Sequence, residues 1–170
     1  MVLSEIVAHL AALLRAGGPW LGPILAGAAF AEALVMIGVF VPVTPALLAI
    51  GAAVAGHMMG PWLLVWVMGG AFLGNAASYE LGRSLQARGV AAPRMPAKAR
   101  AVAQDLFLRH GAVAIVVARF LGPPATVAPF LAGWSRLPRG RFLAASAVAS
   151  LLWPLATAAV GFVGVWLLRR

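Results

Sequence analysis

The chain has 170 residues, of which 63% are apolar and only 10% charged, with a mean hydropathy of +0.97, whereas a soluble domain carries about 25% charged residues. This composition excludes an ordinary soluble fold and marks an integral membrane protein. Thirteen basic against four acidic residues leave a net charge of +9, which in a membrane protein reports topology and lipid headgroups rather than nucleic acid, and the absence of cysteine excludes disulfides and thiolate metal sites.

Residues 1–18 place Leu3, Ile6, Val7, Leu10, Leu13 and Leu14 at helical spacing, with Glu5 and Arg15 among them and no evident secretory leader. This pattern predicts an amphipathic helix lying on the membrane surface. Apolar stretches follow at 20–50, 61–81, 112–132 and 142–168, each long enough to reach deep into, or across, a hydrocarbon core of roughly 30 Å. Residues 19–168 therefore read as one all-α, multi-pass membrane domain. Between its halves, residues 83–110 hold six of the thirteen basic residues against the single Asp105, which predicts a cytoplasmic loop followed by a surface helix from 97 to 109. Arg136, Arg139 and Arg141 compete with Arg169 and Arg170 for the inner side, so the side of the C terminus stays open.

Each half contains a proline-broken apolar segment: "FVPVTPALLAIGAAVAG" with Pro42 and Pro45, and "ARFLGPPATVAPFLAGW" with Pro123, Pro124 and Pro129. Proline removes a backbone donor and interrupts a helix. Non-helical backbone at membrane depth survives only when buried in protein or lining a wet cavity, and paired interruptions in two halves point to opposed re-entrant hairpins in an inverted-repeat-like arrangement. The alternative is that these prolines kink ordinary spanning helices.

Two charges fall inside the apolar stretches, Glu32 and Arg119, each ahead of a proline break and each in a different half. A charge at the bilayer centre costs about 3 kcal/mol or more on insertion scales, so such residues pair or line a polar pathway. Glu32 with Arg119 is the expected pair, read either as an ion pair that fastens the halves or as a cavity. In the cavity reading Arg119 receives an anionic headgroup and Glu32 acts as its alternating partner or carries a proton. Asn75 and Tyr79, four apart in "GNAASYELGR", share a helix face, and Gly70 with Gly74 gives a small-residue spacing for close helix packing. Glu80 is expected to pair locally with Arg83. His9, His57 and His110 have no metal-ligand spacing, Trp20, Trp62, Trp134 and Trp166 suit an interfacial belt, and no hydrolase triad, phosphate-binding glycine loop or zinc-protease motif is present. No catalytic residue, metal or cofactor is therefore expected.

These residues together resemble the DedA family, also called the VTT or SNARE-associated-protein domain family. The resemblance runs from about residue 31 to 164 and rests on Glu32 ahead of "FVPVTPALLAIGAAVAG", on "GNAASYELGR", on "FLRHGAVAIVVARFLGP" and on "LAGWSRLPRGRFLAASAVASLLW". It implies opposed re-entrant hairpins and transport or scrambling of lipids, including undecaprenyl phosphate or phospholipids, across the bacterial inner membrane, proton-dependent in some members. It also implies that Glu32 is the membrane-embedded acid and that Arg119 is the arginine of the Arg-Phe-x-Pro motif. Two positions depart from the family. Thr44 stands where many members have an acid, and Ala125 where many have a second arginine, so one charge of each sign is absent; Asn75 stands where relatives often carry an aspartate. The expected substrate-binding or coupling set is thus Glu32, Arg119, Thr44, Asn75 and Tyr79, with anionic lipids as partners and a homo-oligomer permitted by the small-residue faces. The competing readings are a transporter of another small ion or solute, and a membrane scaffold that keeps the fold without transport.

Overall fold

The structure, a computed structural model, describes residues 12, 18–35, 38, 43–57, 59–89, 101, 105, 107, 109–121 and 124–168. Most of the predicted surface helix at 1–18, the loop at 90–100, and Pro42 and Pro123 lie outside the described residues. A 3-10 turn, Gly18–Trp20, leads into six α-helices among the described residues: α1 Leu21–Ala33, α2 Thr44–Ala55, α3 Leu63–Ala87, α4 Val113–Ala118, α5 Pro124–Trp134 and α6 Arg139–Leu168. No strand occurs among these residues, in keeping with the all-α expectation.

Helix boundaries follow local chemistry. The chain turns extended at Leu34 (φ −74°, ψ 133°), which stops α1 at Ala33. Pro45 sits at the start of α2, where its missing N–H has no helical partner to lose. Gly89, at φ +68° just past α3, supplies the left-handed residue that commonly closes a helix. At 1.5 Å per residue, α1, α2 and α5 with 13, 12 and 11 residues span only about 20, 18 and 16 Å. The 20–50 stretch is accordingly not one crossing helix: α1 ends at Ala33, well short of a roughly 30 Å core. Among the described residues, Arg139–Leu167 is the helix long and apolar enough to cross a membrane.

The long α3 is the organising element, packed along one part by α1 and along another by α5, while α2 lies on α6 and α6 also meets α3 and α4. Glycines set these approaches. Gly70 faces the Ala26 carbonyl and Gly74 the Phe30 carbonyl across the α1–α3 contact, Gly82 and Gly133 face backbone across the α3–α5 contact, and Gly51 and Gly161 do so between α2 and α6. The predicted packing role of Gly70 and Gly74 is therefore what the structure shows. Leu25, Leu47, Ile50, Leu63, Val67 and Trp153 form one buried cluster, and Tyr79, Ile115 and Phe142 belong to a second. Large apolar side chains such as Ile24, Val65, Leu73, Leu151, Val160 and Leu167 are exposed on the outside. A soluble protein would bury such a surface; a bilayer covers it.

Candidate functional site

Glu32 occupies the last turn of α1, a poor place for an anion because the carbonyl end of a helix carries partial negative charge. Its carboxylate instead lies at the amino end of α2, where the Val43 N–H donates to Oε1 at 3.4 Å. From the other half of the chain comes Arg119, the residue that caps α4 at its carbonyl end. Its Nη2 approaches Glu32 Oε2 at 3.5 Å, with the two side chains only 4% and 14% exposed. The expected pair thus forms, and it joins the end of α1 to the end of α4. Gly38 packs against both the Glu32 carbonyl and the Thr126 methyl, which brings the first break against the start of α5.

The pair sits in a polar seam lined by one face of α6. Trp153 lies under the Arg119 guanidinium, 4.3 Å from its ring centroid, a cation–π contact that compensates a desolvated arginine. One turn earlier, Ser150 Oγ accepts from Asn75 Nδ2 at 3.4 Å, and Ser146 is fully buried one turn earlier still. Pro154, inside α6, has no N–H for the Ser150 carbonyl, so that helical bond is missing beside Asn75. Across the seam Ser78 donates to the Ala33 carbonyl at 3.0 Å and accepts from the Val35 N–H at 3.1 Å, which satisfies backbone freed by the end of α1.

Several polar atoms of this seam have no hydrogen-bond partner among the described residues: Glu32 Oε2, Arg119 Nε and Nη2, Asn75 Oδ1 and Ser146 Oγ, all buried. Buried polar groups are normally paired. Among the described residues these unpartnered atoms cluster around one ion pair.

The other predicted residues are placed differently. Tyr79 is fully buried and stacked on Phe142, 4.2 Å between centroids, and its hydroxyl donates to the Leu137 carbonyl at 2.6 Å; it fastens the α5–α6 turn to α3. Thr44 opens α2 with an exposed side chain, whereas Ala125 is half-buried. Pro45 and Pro124 stand at helix starts. Glu80 does not pair with Arg83: it meets Arg139 at 2.8 Å, because the start of α6 lies beside that turn of α3. The seam residues Ser78, Ser146, Ser150 and Trp153 were not anticipated. Their available signal was the i, i+4, i+7 spacing of Ser146, Ser150 and Trp153 in the largely apolar part of α6 after Arg141, with a tryptophan far from either span end.

A VTT domain model matches residues 35–163, most of the chain and all of the seam except Glu32. The chain belongs to the DedA/VTT family. This VTT domain protein is 28% identical over 171 residues to Protein DedA of Escherichia coli K12, covering 94% of this chain and 76% of that protein. It is 31% identical over 137 residues to the inner membrane protein YqjA of the same strain (78% of this chain, 62% of the relative) and 28% identical over 131 residues to the inner membrane protein YabI (74% and 51%). YqjA and YabI are named as inner membrane proteins. No solved structure matches the chain.

Proposed function

We propose that this VTT domain protein is a lipid flippase or scramblase of the bacterial inner membrane, moving an anionic lipid such as undecaprenyl phosphate or a phospholipid. In this reading the breaks after α1 and after α4 are the tips of two opposed re-entrant hairpins of an inverted-repeat fold, and the seam between them is where the headgroup passes the hydrocarbon. The observation that carries the proposal is Arg119: a guanidinium almost wholly withdrawn from solvent, with Nε and Nη2 free of hydrogen bonds among the described residues and a single carboxylate at 3.5 Å. A permanently charged, forked donor matches the oxygens of a phosphate. A phosphate entering the seam competes with Glu32 for Arg119 and finds further polar partners in Asn75, Ser146 and Ser150. Glu32, relieved of its partner, serves as the proton carrier that couples movement to the proton gradient. Support for the location comes from relatives named as inner membrane proteins.

The test is translocation in proteoliposomes of labelled undecaprenyl phosphate and of a labelled phospholipid, with and without a proton gradient, for wild type and Arg119→Ala. Movement by wild type that is lost in a folded Arg119→Ala variant is the expected result. If neither lipid moves faster than in empty liposomes while the protein is folded, the proposal fails and a scaffold or another solute takes its place.

A further inference from the structure

Away from the seam, α3 and the α5–α6 turn enclose an open pocket of about 470 Å³ lined by Arg83, Gln86, Arg136, Pro138 and Arg139. Three arginines in one concavity repel one another unless something holds them, and here something does. Arg136 Nε donates to Gln86 Oε1 at 2.8 Å, from a backbone in the left-handed region at φ +56°. Arg139 Nε is fixed by Glu80 at 2.8 Å, and Arg83 Nη1 reaches the Tyr79 hydroxyl at 3.5 Å. Each of these contacts takes one nitrogen. A guanidinium has five N–H donors, so most of each fork remains for a ligand.

The amino end of α6 points to the sign of that ligand. A helix N-terminus favours anions, yet the first turn of this 30-residue helix holds no acid and carries Arg139 and Arg141 instead. Positive side chains on a positive helix end, beside two more arginines and with Glu80 as the acid that meets Arg139, leave a surplus of positive charge among the described residues. Among the described residues, counting Arg83, Arg136 and Arg139 against Glu80 gives a net charge of +2 around the pocket, three positive less one negative. A phosphate monoester carries about −1.5 to −2 at pH 7, whereas a diester carries a single negative charge.

We propose that the pocket of Arg83, Arg136 and Arg139 is a binding site for a phosphate monoester, either the headgroup of a lipid or free phosphate, separate from the Glu32–Arg119 seam. Binding here needs no transport, so its test stands apart from the function proposed above. The purified full chain in neutral detergent is titrated with phosphatidic acid, with phosphatidylglycerol and with inorganic phosphate, and bound lipid is counted by native mass spectrometry. One phosphatidic acid per chain is expected, bound at least tenfold tighter than phosphatidylglycerol. The double variant Arg83→Gln/Arg139→Gln weakens it at least tenfold, and Arg109→Gln, whose arginine is exposed and paired with Asp105, leaves it unchanged. Inorganic phosphate that displaces the lipid at millimolar concentration identifies free phosphate as a source; failure to displace it identifies the lipid. Since the double variant also removes the Arg139–Glu80 contact, Glu80→Gln provides a test in the opposite direction: it raises the pocket to +3 and tightens binding several-fold. Equal binding of the diester, equal loss in Arg109→Gln, unchanged affinity in a folded double variant, or no tightening in Glu80→Gln each overturns the proposal.

Discussion

Removing one partner of the buried ion pair is expected to cost far more than removing both. At 3.5 Å and an effective dielectric of about 20, the attraction between Glu32 and Arg119 is about 5 kcal/mol in gross terms, most of it offset by desolvation. Single substitutions break this balance, because the remaining charge stays out of water alone, at a cost of about 3–5 kcal/mol. The two singles are not equivalent. In Arg119→Leu the carboxylate can take up a proton and shed its charge, whereas in Glu32→Gln the guanidinium cannot shed its charge and keeps only Trp153 against it. Glu32→Gln is thus the more damaging single, and Glu32→Gln/Arg119→Leu recovers at least half of the loss. The assay is thermal unfolding in detergent followed by far-UV circular dichroism, with a shift of about 2–4 °C per kcal/mol for a chain of this size. Additive losses in the double variant would refute the reasoning, since they would mean that the two charges do not interact. The same double variant, folded but without its pair, is also the control for translocation: a scaffold keeps its partners, and a transporter stops.

Adjacent glycines in α3 offer a sharper contrast. Gly69→Ala adds a methyl to open space and is expected to stabilise by about 0.5–1 kcal/mol through helix propensity, whereas Gly70→Ala drives a methyl into the Ala26 carbonyl and costs about 1–3 kcal/mol; unfolding in detergent gives both signs. Tyr79→Phe keeps the stack on Phe142 but strands the Leu137 carbonyl, for a loss of about 1–3 kcal/mol in the same assay. Trp153→Leu removes the cation–π contact, worth about 2 kcal/mol for a desolvated guanidinium, so its effect on stability should shrink when Arg119 is already leucine.

The ion pair was legible in the sequence because two charges stand alone in apolar stretches, and each has few other places to go. The glycine contacts of α3 were legible for a related reason, since Gly70 and Gly74 fall on one helical face. Helix lengths were not: nothing but Glu32 interrupts the apolar run from residue 20 to the break at Pro42, while the end of α1 at Ala33 depends on backbone bonds that Ser78 supplies from 43 residues away or more. Ser150 and Trp153 escaped notice because serine and tryptophan are common in membrane helices, and their function depends on which helix lies opposite. Glu80 illustrates the same limit. Its spacing to Arg83 suits a local pair, but the approach of α6 puts Arg139 closer, and tertiary geometry prevails over sequence neighbourhood.

One face of α6 carries Ser146, Ser150 and Trp153 toward the seam, while Val148, Leu151, Leu152 and Leu155 are exposed on its other side. A helix with its side chains is about 10–12 Å across, so a single helix is the wall that divides the charged interior from the acyl chains. In the transport proposed above, an amphiphile longer than that wall is thick need not leave the bilayer whole: its head enters between helices while its tail stays among its neighbours. On the function proposed above, recognition then falls to the head, and the length of the hydrocarbon tail matters little to the site.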